Sequence, residues 1–289
     1  MTPVHQLVIN YHITEKCNYD CHYCYAKWEK TNELHHNLND MKQVLDNLAA
    51  YFLSQNPIQK KLKYQSVRLN FAGGEPLLLK QRFFDALDHA IVLGFDVSLI
   101  TNGHLITDEF IAEHIHKLQL LGISYDSEDS VSQRNIGRGT PSGKNLTSTR
   151  LKSIFQQIKQ LSPNTELKIN TVINQYNTEE NLSNLIAELQ PNKWKVLRVL
   201  PVFEQIKTIS DQQFERFVER HQSVAQFMSV ENNSSMTNSY LMLSPDGSFF
   251  QNGNGDQGYF KSRSLLTTPV EIALAETGFD AEKFALRYS

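Results

Sequence analysis

All three cysteines of the 289-residue chain, Cys17, Cys21 and Cys24, lie in one short segment, KCNYDCHYC. An odd number of closely spaced cysteines does not suit paired structural disulfides. A chain of this length can bury a core without them, so clustered thiols indicate a metal site or catalysis in a reducing compartment. Three thiolates would leave one iron of a four-iron cluster open for another ligand. The alternative is a zinc site, with His22 or His12 as the fourth ligand.

The bulk composition, with 40% hydrophobic and 20% charged residues, is that of a soluble globular protein. The net charge of −3 argues against direct binding of a nucleic-acid polyanion. No apolar run approaches the roughly 20 residues of a membrane span, and the first residues do not have the apolar core of a signal peptide. We therefore expect a cytoplasmic protein that does not enter a membrane.

The segments that must position the cysteines alternate between strand-like and helical patterns. The strand-like runs are rich in Val, Ile and Leu, which is typical of a parallel sheet with right-handed crossovers. The predicted strands span residues 7–13, 66–74, 96–103, 121–126, 166–174 and 194–202. The predicted helices span residues 39–55, 79–94, 107–119, 144–162, 178–189 and 210–227, with Asn39, Thr107 and Thr178 as N-caps. Residues 239–253 predict an antiparallel hairpin with a Pro-Asp-Gly turn.

These six β/α units are too few for a closed eight-stranded barrel. They predict either an open six-stranded barrel or a doubly wound sheet, and in both folds the chemistry lies at the carboxyl ends of the strands. The cysteine segment follows the first predicted strand, and AGGEP, TNG and YDSED end the next three. We expect these loops to meet at one edge of the sheet.

The segment CNYDCHYC followed by AGGEP resembles the radical S-adenosylmethionine (SAM) superfamily. The resemblance implies a 4Fe–4S cluster held by Cys17, Cys21 and Cys24, with an open iron that chelates the amino and carboxylate groups of SAM. One electron from the cluster would cleave SAM to a 5′-deoxyadenosyl radical. The resemblance also implies that Tyr23 lies beside the adenine.

The glycines and the carboxylate of AGGEP match superfamily positions near the methionyl amine of SAM. The residues are Gly73, Gly74 and Glu75. The residue types agree with that assignment, because glycine permits close approach of the backbone to a ligand and a carboxylate accepts hydrogen bonds from an ammonium.

Blocks along nearly the whole chain resemble one family of the superfamily, the viperins, and in particular their prokaryotic members. The blocks include NYHITEKCNYDCHYCYAKW, LNFAGGEPLL, ITNGHLI, LGISYDSED, NIGRG, KINTVIN, WKVLRVL and NSYLML. The resemblance implies an α/β fold: a partial (β/α)6 radical SAM barrel over residues 1–230, and a C-terminal extension over residues 231–289 that contains the hairpin and closes the nucleotide site. The first strand begins at about residue 7, so we expect no counterpart of the amphipathic membrane helix of vertebrate viperins.

The implied reaction converts a nucleoside triphosphate to its 3′-deoxy-3′,4′-didehydro analogue after abstraction of the C4′ hydrogen. The product terminates viral RNA synthesis, so the implied role is antiviral defence. The reaction needs external electrons, which implies a flavodoxin or ferredoxin partner. The sequence does not fix the base, although KINTVIN, WKVL and NSYLML favour CTP or UTP over GTP. Residues 250–262 are rich in polar groups that could select it.

Three further residues match family positions near SAM, namely Asn102, Ser124 and Arg138. The resemblance implies that Arg138 pairs with the SAM carboxylate, a role that suits a fork-shaped guanidinium better than an ammonium. Taken singly, each residue also has an ordinary interpretation, as a turn asparagine, a strand serine and a surface arginine.

The nucleotide requires cations and polar groups on the sheet. Lys168 and Asn170 lie two residues apart on the fifth predicted strand, and Lys193 and Lys195 do so on the sixth, so each pair shares one face. The resemblance implies that these four residues bind the triphosphate and the ribose. Solvent-facing lysines on edge strands are the alternative interpretation.

The resemblance places three more residues at the nucleotide: Asn10, His12 and Tyr240. His12 could instead be a core histidine. The Tyr240 phenol could supply a proton or hydrogen atom at the end of the reaction, or the ring could simply pack in a half-buried strand. Two rival functions remain open at this point: another radical SAM enzyme acting on a peptide or RNA, and a zinc-binding module without catalysis.

Overall fold

The computed structural model describes residues 4–26, 32–200, 208–232, 239–252 and 259–288. Its strands are β1 (Gln6–His12), β2 (Ser66–Ala72), β3 (Asp96–Thr101), β4 (Leu120–Ser124), β5 (Glu166–Ile173), β6 (Lys193–Arg198), β7 (Met228–Glu231), β8 (Leu241–Leu243), β9 (Ser248–Asn252) and β10 (Tyr259–Ser264). Its helices are α1 (Leu38–Phe52), α2 (Pro57–Leu62), α3 (Gln81–Leu93), α4 (Asp108–His114), α5 (Ser130–Ile136), α6 (Ser148–Leu161), α7 (Ser183–Leu189), α8 (Asp211–Arg220), α9 (Val270–Thr277) and α10 (Ala281–Tyr288). No helix within these ranges has both the length and the apolar character to cross a bilayer.

The chain forms two compact units. The first consists of Met1–Lys16, Ala26–Leu99 and Ser234–Ser289, and the second of Cys17–Tyr25 and Ile100–Asn233. The predicted boundary between residues 230 and 231 stays a prediction.

In the first unit the strand order is β10-β9-β8-β1-β2-β3. Strands β1, β2 and β3 are parallel, and β8 pairs in parallel with β1, while β8, β9 and β10 are antiparallel neighbours. The apolar side of β1 and β2 is fully buried, and Phe71 of this side packs edge-on against Phe83 of α3 at 5.6 Å between ring centroids. The predicted hairpin is confirmed as β8–β9, whose turn is closed by a bond from Gly247 N to the Ser244 carbonyl.

In the second unit β4, β5, β6 and β7 lie side by side and all pairs are parallel. The buried Trp194 of β6 packs against Phe217 of α8 at 6.2 Å, so this face of the sheet meets the helices. Residues in register across parallel strands project to the same face, and side chains alternate along each strand. Ser124, Asn170, Lys195 and Ser229 therefore form one row on the opposite face.

All six predicted β/α strands are confirmed, with shifts at their ends, and residues 201–202 of the sixth lie outside the described ranges. The Thr107 cap is confirmed, since its hydroxyl accepts a bond from Phe110 N. The Asn39 cap is wrong: the extended residue before α1 is Asn37, whose side chain accepts from Asn39 N. The Thr178 cap is also wrong, because α7 begins at Ser183.

A polar turn explains the late start of α7. The Asn177 side chain accepts from Asn174 N and donates to the carbonyls of Val172 and Asp126. Such side-chain bonds to the backbone compete with helix formation. Strands β7 and β10 were not predicted, and the predicted helix over 210–227 ends at Arg220 and continues as a 3-10 turn over Gln222–Phe227.

Candidate active site

The cysteine loop belongs to the second unit and is tied to the end of α5. Asp20 N donates to the Gly137 carbonyl at 3.1 Å, and His22 N donates to the Ile136 carbonyl at 3.0 Å. Gly137 has a positive φ of 83°, and a Cβ there would lie 2.0 Å from the Asp20 carbonyl oxygen. Glycine is therefore required for this approach, and the loop is held by backbone bonds that do not depend on a ligand.

A buried charged group lies against this loop. Arg138, which is 5% exposed, lies with Nη1 3.9 Å from Cys21 Sγ, 3.0 Å from the Tyr23 hydroxyl and 3.4 Å from Asp126 Oδ2. Its Nη2 donates to the Ser124 carbonyl, and the Tyr23 hydroxyl donates to Asp126 Oδ2. The structure thus brings three of the predicted site residues, Cys21, Tyr23 and Arg138, to one place.

Asp126 is one of several candidate site residues that were not predicted from the sequence. Its side chain is fully buried, and Oδ1 accepts from Val172 N of β5 at 2.9 Å. Burial and the Asp126 carboxylate raise the pKa of Tyr23 well above its usual value, so the phenol keeps its proton and donates it. The only sequence signal was its place in YDSED at the end of β4, where a carboxylate looks like an ordinary loop residue.

The other end of the loop is bonded to the TNG turn. The side-chain nitrogen of Asn102 lies 3.8 Å from Cys17 Sγ and donates to Asn18 Oδ1 at 2.7 Å. Its side-chain oxygen accepts from His104 N at 3.0 Å, which makes the turn itself. The ordinary interpretation of Asn102 as a turn residue is therefore confirmed, and its predicted place near SAM stays a prediction.

The donor set suits a multi-iron cluster better than a single zinc ion. None of the three cysteines is in a disulfide, and His22 is exposed. Among the described residues, the group of three or more metal-ligand atoms lying within 4.8 Å of one another is Glu33, His35 and His36, not the cysteines. Ligands of one tetrahedral zinc ion, with bonds of about 2.0–2.3 Å, must lie closer together than that.

The charge around Cys21 indicates a metal-bound thiolate without distinguishing iron from zinc. Burial raises the pKa of the Cys21 thiol to about 12, and the neighbouring Arg138 guanidinium only partly opposes that shift. The thiolate form therefore needs further positive charge close by, which a bound metal would supply.

In the first unit, the AGGEP turn packs on the residues that lead into the cysteine loop. Gly74 N donates to the Thr14 carbonyl at 2.6 Å, and Glu75 N donates to the Lys16 carbonyl at 2.8 Å. A Cβ on Gly74 would lie 2.1 Å from the Lys16 carbonyl oxygen. These glycines thus allow backbone to approach backbone, a reason that differs from the predicted approach to a ligand. Glu75 is fully buried, and its side chain accepts from Leu77 N at 3.1 Å.

Asn10 belongs to a polar row across the first unit's strands. Asn70 of β2 donates to Asn10 Oδ1 at 2.8 Å, and Ser98 of β3 donates to Asn70 Oδ1 at 2.7 Å. Asn70 and Ser98 were not predicted, although a polar residue between apolar neighbours in a strand was the available signal. His12 is 2% exposed and packs edge-on against Phe250 at 5.3 Å, and burial lowers its pKa to about 3.

The predicted lysines differ in their surroundings. Lys193 is exposed, whereas Lys168 and Lys195 are half-buried. Lys195 Nζ lies 2.6 Å from Glu231 Oε1, with both side chains largely buried. The sequence analysis did not find Glu231, because β7 was not predicted. The Asn170 side-chain oxygen is buried and has no hydrogen-bond partner among the described residues.

Tyr240 is half-buried, and its carbonyl accepts from Gln251 Nε2 at 2.7 Å. Of residues 250–262, the proposed base-selecting segment, residues 253–258 lie outside the described ranges.

Comparison with known proteins agrees with this geometry. The family model of the radical SAM superfamily matches residues 11–151. A protein of Pseudoalteromonas ulvae named S-adenosylmethionine-dependent nucleotide dehydratase is 44% identical, covering 100% of this chain and 94% of that protein. A protein of the same name from Psychrobacter lutiphocae is 37% identical, covering 98% and 95%. One from Siniperca chuatsi, whose name adds RSAD2, is 31% identical, covering 99% and 78%.

Solved structures show a similar fold. Native anSMEcpe with bound AdoMet has a TM-score of 0.68 at 15% identity, covering 98% of this chain and 84% of that chain. Streptococcus suis SuiB bound to its precursor peptide SuiA has a TM-score of 0.64 at 16% identity, covering 98% and 66%. At such identities the likeness concerns the fold alone, and it confirms the predicted radical SAM α/β architecture.

Proposed function

The chain belongs to the radical SAM superfamily and, within it, to the S-adenosylmethionine-dependent nucleotide dehydratases, and from this membership we propose that it converts a nucleoside triphosphate to its 3′-deoxy-3′,4′-didehydro analogue. The observation that carries the proposal is the buried arrangement of Arg138, Asp126 and Tyr23 against Cys21. This arrangement places a thiol of the C-x3-C-x2-C loop, which can bind iron, beside a fixed guanidinium, which can bind the carboxylate of SAM.

In this proposal, Cys17, Cys21 and Cys24 hold a 4Fe–4S cluster with one iron open to SAM. When bound, the cluster and SAM would supply a 5′-deoxyadenosyl radical to take the C4′ hydrogen of the ribose. Loss of the 3′ hydroxyl as water would then require one further electron and one proton. The chain itself binds and orients SAM and the nucleotide and excludes water from them, since the difficult chemistry belongs to the cofactors.

Arg138 pairs with the SAM carboxylate, and Asp126 and the Ser124 carbonyl fix its orientation before SAM arrives. Pre-organised donors of this kind lose less entropy on binding than mobile ones. Tyr23 contributes its ring to the adenine while its hydroxyl is held by Asp126. Asn102 and Glu75 complete the polar contacts, the latter to the methionyl amine.

The nucleotide binds to the polar faces of the strands. Lys168, Lys193 and Lys195 contact the triphosphate. The unpartnered Asn170 oxygen supports this assignment, because buried polar atoms in proteins normally have a partner and a ribose hydroxyl would provide one. We assign Asn10 and His12 to the sugar and base, with His12 acting as a neutral hydrogen-bonding group. Tyr240 supplies the final proton or hydrogen atom.

The remaining parts of the proposal follow from the family. A flavodoxin or ferredoxin supplies electrons, the protein acts in the cytoplasm, and the product serves in antiviral defence. The substrate is CTP or UTP in preference to GTP, selected by hydrogen bonds to the base edge, because a triphosphate grip alone would bind every nucleotide alike.

A competition experiment among nucleotides tests which base the substrate carries. Equal concentrations of CTP, UTP, GTP and ATP are offered to the reconstituted enzyme with SAM and a reductant under anaerobic conditions. We expect the dehydrated product to carry mostly cytosine or uracil. A product carrying mostly guanine or adenine would remove the pyrimidine assignment while leaving the dehydratase proposal in place.

A further inference from the structure

A second polar cluster in the first unit lies outside the residues assigned so far. Glu33 is 7% exposed and His35 is 3% exposed. His35 Nε2 lies 2.5 Å from Glu33 Oε2, and Arg82 Nη1 lies 3.4 Å from His35 Nδ1. Arginine has no acceptor, so it must donate to Nδ1, and the ring proton then resides on Nε2 and is donated to Glu33.

The Glu33 carboxylate uses both oxygens on the residues that follow β1. Oε1 accepts from Glu15 N at 2.8 Å, and Oε2 accepts from the Thr14 hydroxyl at 2.8 Å. The Thr14 oxygen in turn accepts from Lys16 N at 3.1 Å. Burial tends to raise the pKa of Glu33, but the bonds from His35, Glu15 N and Thr14 outweigh it and lower that pKa to about 2. The carboxylate is therefore ionised and fully used by its neighbours.

Residues Thr14–Lys16 are consequently held from two directions. Glu33 bonds their hydroxyl and amide groups, and the AGGEP turn bonds their carbonyls through Gly74 N and Glu75 N. The next residue in the chain is Cys17. The position of the first cysteine's backbone thus depends on a segment that a buried carboxylate fixes.

The same region offers a different interpretation, because the ligand atoms of Glu33, His35 and His36 lie within 4.8 Å of one another and could hold a metal ion. The surroundings of His35 argue against it. A histidine that binds a metal through Nε2 normally donates its Nδ1 proton to an acceptor, and Arg82 is a donor. His36 is exposed, and neither its ring nor an ion is needed to satisfy Glu33.

We propose that Glu33 and His35, with Arg82 behind them, form a clamp that positions Thr14–Lys16 so that Cys17 is presented to the cluster. These are positioning residues and touch neither SAM nor nucleotide. The expected effect of the clamp on cluster retention rests on the proposed function, because it assumes that a cluster is bound. Its geometry can be tested in the protein without any cluster.

Three full-length variants test the proposal: Glu33→Gln, His35→Asn and His36→Ala. Glu33→Gln replaces one of the two acceptor oxygens with a nitrogen that only donates, so the three donors Glu15 N, Thr14 and His35 no longer face two acceptor oxygens. His36→Ala is the matched control, since it removes an adjacent imidazole that lies tilted against His35, with ring centroids 4.2 Å apart, but does not bond to Glu33. Amide hydrogen exchange of residues 14–17 in the cluster-free protein measures how firmly the clamp holds this segment. Iron content and the rate at which a chelator bleaches the cluster absorption near ~400 nm report its consequence.

In Glu33→Gln and His35→Asn we expect amide hydrogen exchange at Glu15 and Lys16 to become about tenfold faster, as for a lost hydrogen bond to a charged group. We expect the chelator to remove the cluster about tenfold faster as well. His36→Ala should match the parent. Unchanged exchange in Glu33→Gln would overturn the clamp, and faster exchange with unchanged cluster loss would reduce it to a local structural feature.

If the parent bound one Mn²⁺, an ion that suits carboxylates better than thiolates, and His36→Ala lost it, a metal site would replace the clamp. A parent that takes up no iron would instead refute the proposed function.

Discussion

At the scale of single residues, Arg138 and Asp126 show what sequence reasoning reached and what it missed. Arg138 matched a family motif that implied pairing with the SAM carboxylate, and the structure places its Nη1 3.9 Å from Cys21 Sγ. Asp126 carries no motif of its own, and its importance lies in contacts made by folding: it meets Arg138, Tyr23 and the backbone of Val172. A buried cation with a single carboxylate partner is highly sensitive to loss of that partner.

We expect Asp126→Asn to lower the free energy of unfolding by about 3 kcal/mol, because it leaves the buried guanidinium of Arg138 without its carboxylate partner. The asparagine oxygen can still accept from Val172 N, so the backbone there should stay in place. SAM affinity should fall as well, since Arg138 loses its fixed orientation. Urea denaturation and SAM titration of the reconstituted protein measure the two effects.

Glu179→Gln is the control for that substitution. Glu179 pairs with Arg220 at 2.8 Å, but its side chain is 79% exposed, so its removal should cost less than about 1 kcal/mol and leave SAM binding unchanged. Equal stability losses in the two variants would show that Asp126 is not the partner that Arg138 requires.

His12 supplies a pH-dependent prediction. Burial lowers its pKa to about 3, from the 6.5 of an exposed histidine. Below pH 6.5 the unfolded chain therefore binds a proton that the folded protein does not, and stability falls by about 1.4 kcal/mol per pH unit as the pH drops towards 3. His12→Asn removes this term, so the stability of parent minus variant should decline between about pH 7 and about pH 5. Parallel curves would mean that the imidazole charges freely in the folded protein.

At the scale of elements, the sequence predicted what local pattern encodes. Apolar runs located β1 to β6, and a Thr side chain marked the start of α4. The failures have tertiary causes. The start of α7 is displaced by Asn177, which bonds to backbone in β5 and at Asp126, and β7 is a short strand whose amphipathic signal covers only Met228–Glu231.

The missed strand changes the prediction for Lys195. Because Glu231 of β7 lies 2.6 Å from Lys195, Lys195→Ala removes a cation and also leaves a buried carboxylate on the proposed triphosphate face. We expect Lys195→Ala to weaken CTP binding by a few kcal/mol, more than Lys193→Ala, which removes an exposed lysine. Adding Glu231→Gln to Lys195→Ala should recover part of the affinity. Calorimetric titration of the parent, both single variants and the double variant completes the double-mutant cycle. Strictly additive effects would show that Lys195 and Glu231 are not coupled in nucleotide binding.

At the scale of the whole molecule, one arrangement recurs in each unit: an apolar sheet face against helices and polar residues on the other. In the first unit the polar row is Asn10, Asn70 and Ser98, and in the second it includes Ser124, Asn170 and Lys195. The alternation along each strand was readable in the sequence. Which polar residues bond to one another was not, because that depends on the register between strands.

The contacts of Gly73 and Gly74 in the AGGEP turn also depend on tertiary structure that no local pattern encodes. Their motif was predicted from the family, yet their observed function is to admit the backbone of residues 14–16 within bonding distance. No local pattern reveals that contact, and the Glu33 carboxylate that holds the same segment lies 18 residues from its partner Glu15.

The central claim, that this chain dehydrates a nucleotide by SAM-derived radical chemistry, is tested most directly by one anaerobic turnover measurement. The reconstituted protein is mixed with SAM, dithionite and CTP, and 5′-deoxyadenosine and the nucleotide are quantified by mass spectrometry, with Cys21→Ala as the control. We predict a nucleotide lighter by one water, formed in step with 5′-deoxyadenosine, and neither product from Cys21→Ala. Cleavage of SAM without any dehydrated nucleotide, for CTP and for each other nucleoside triphosphate, or cleavage that persists in Cys21→Ala, would contradict the account.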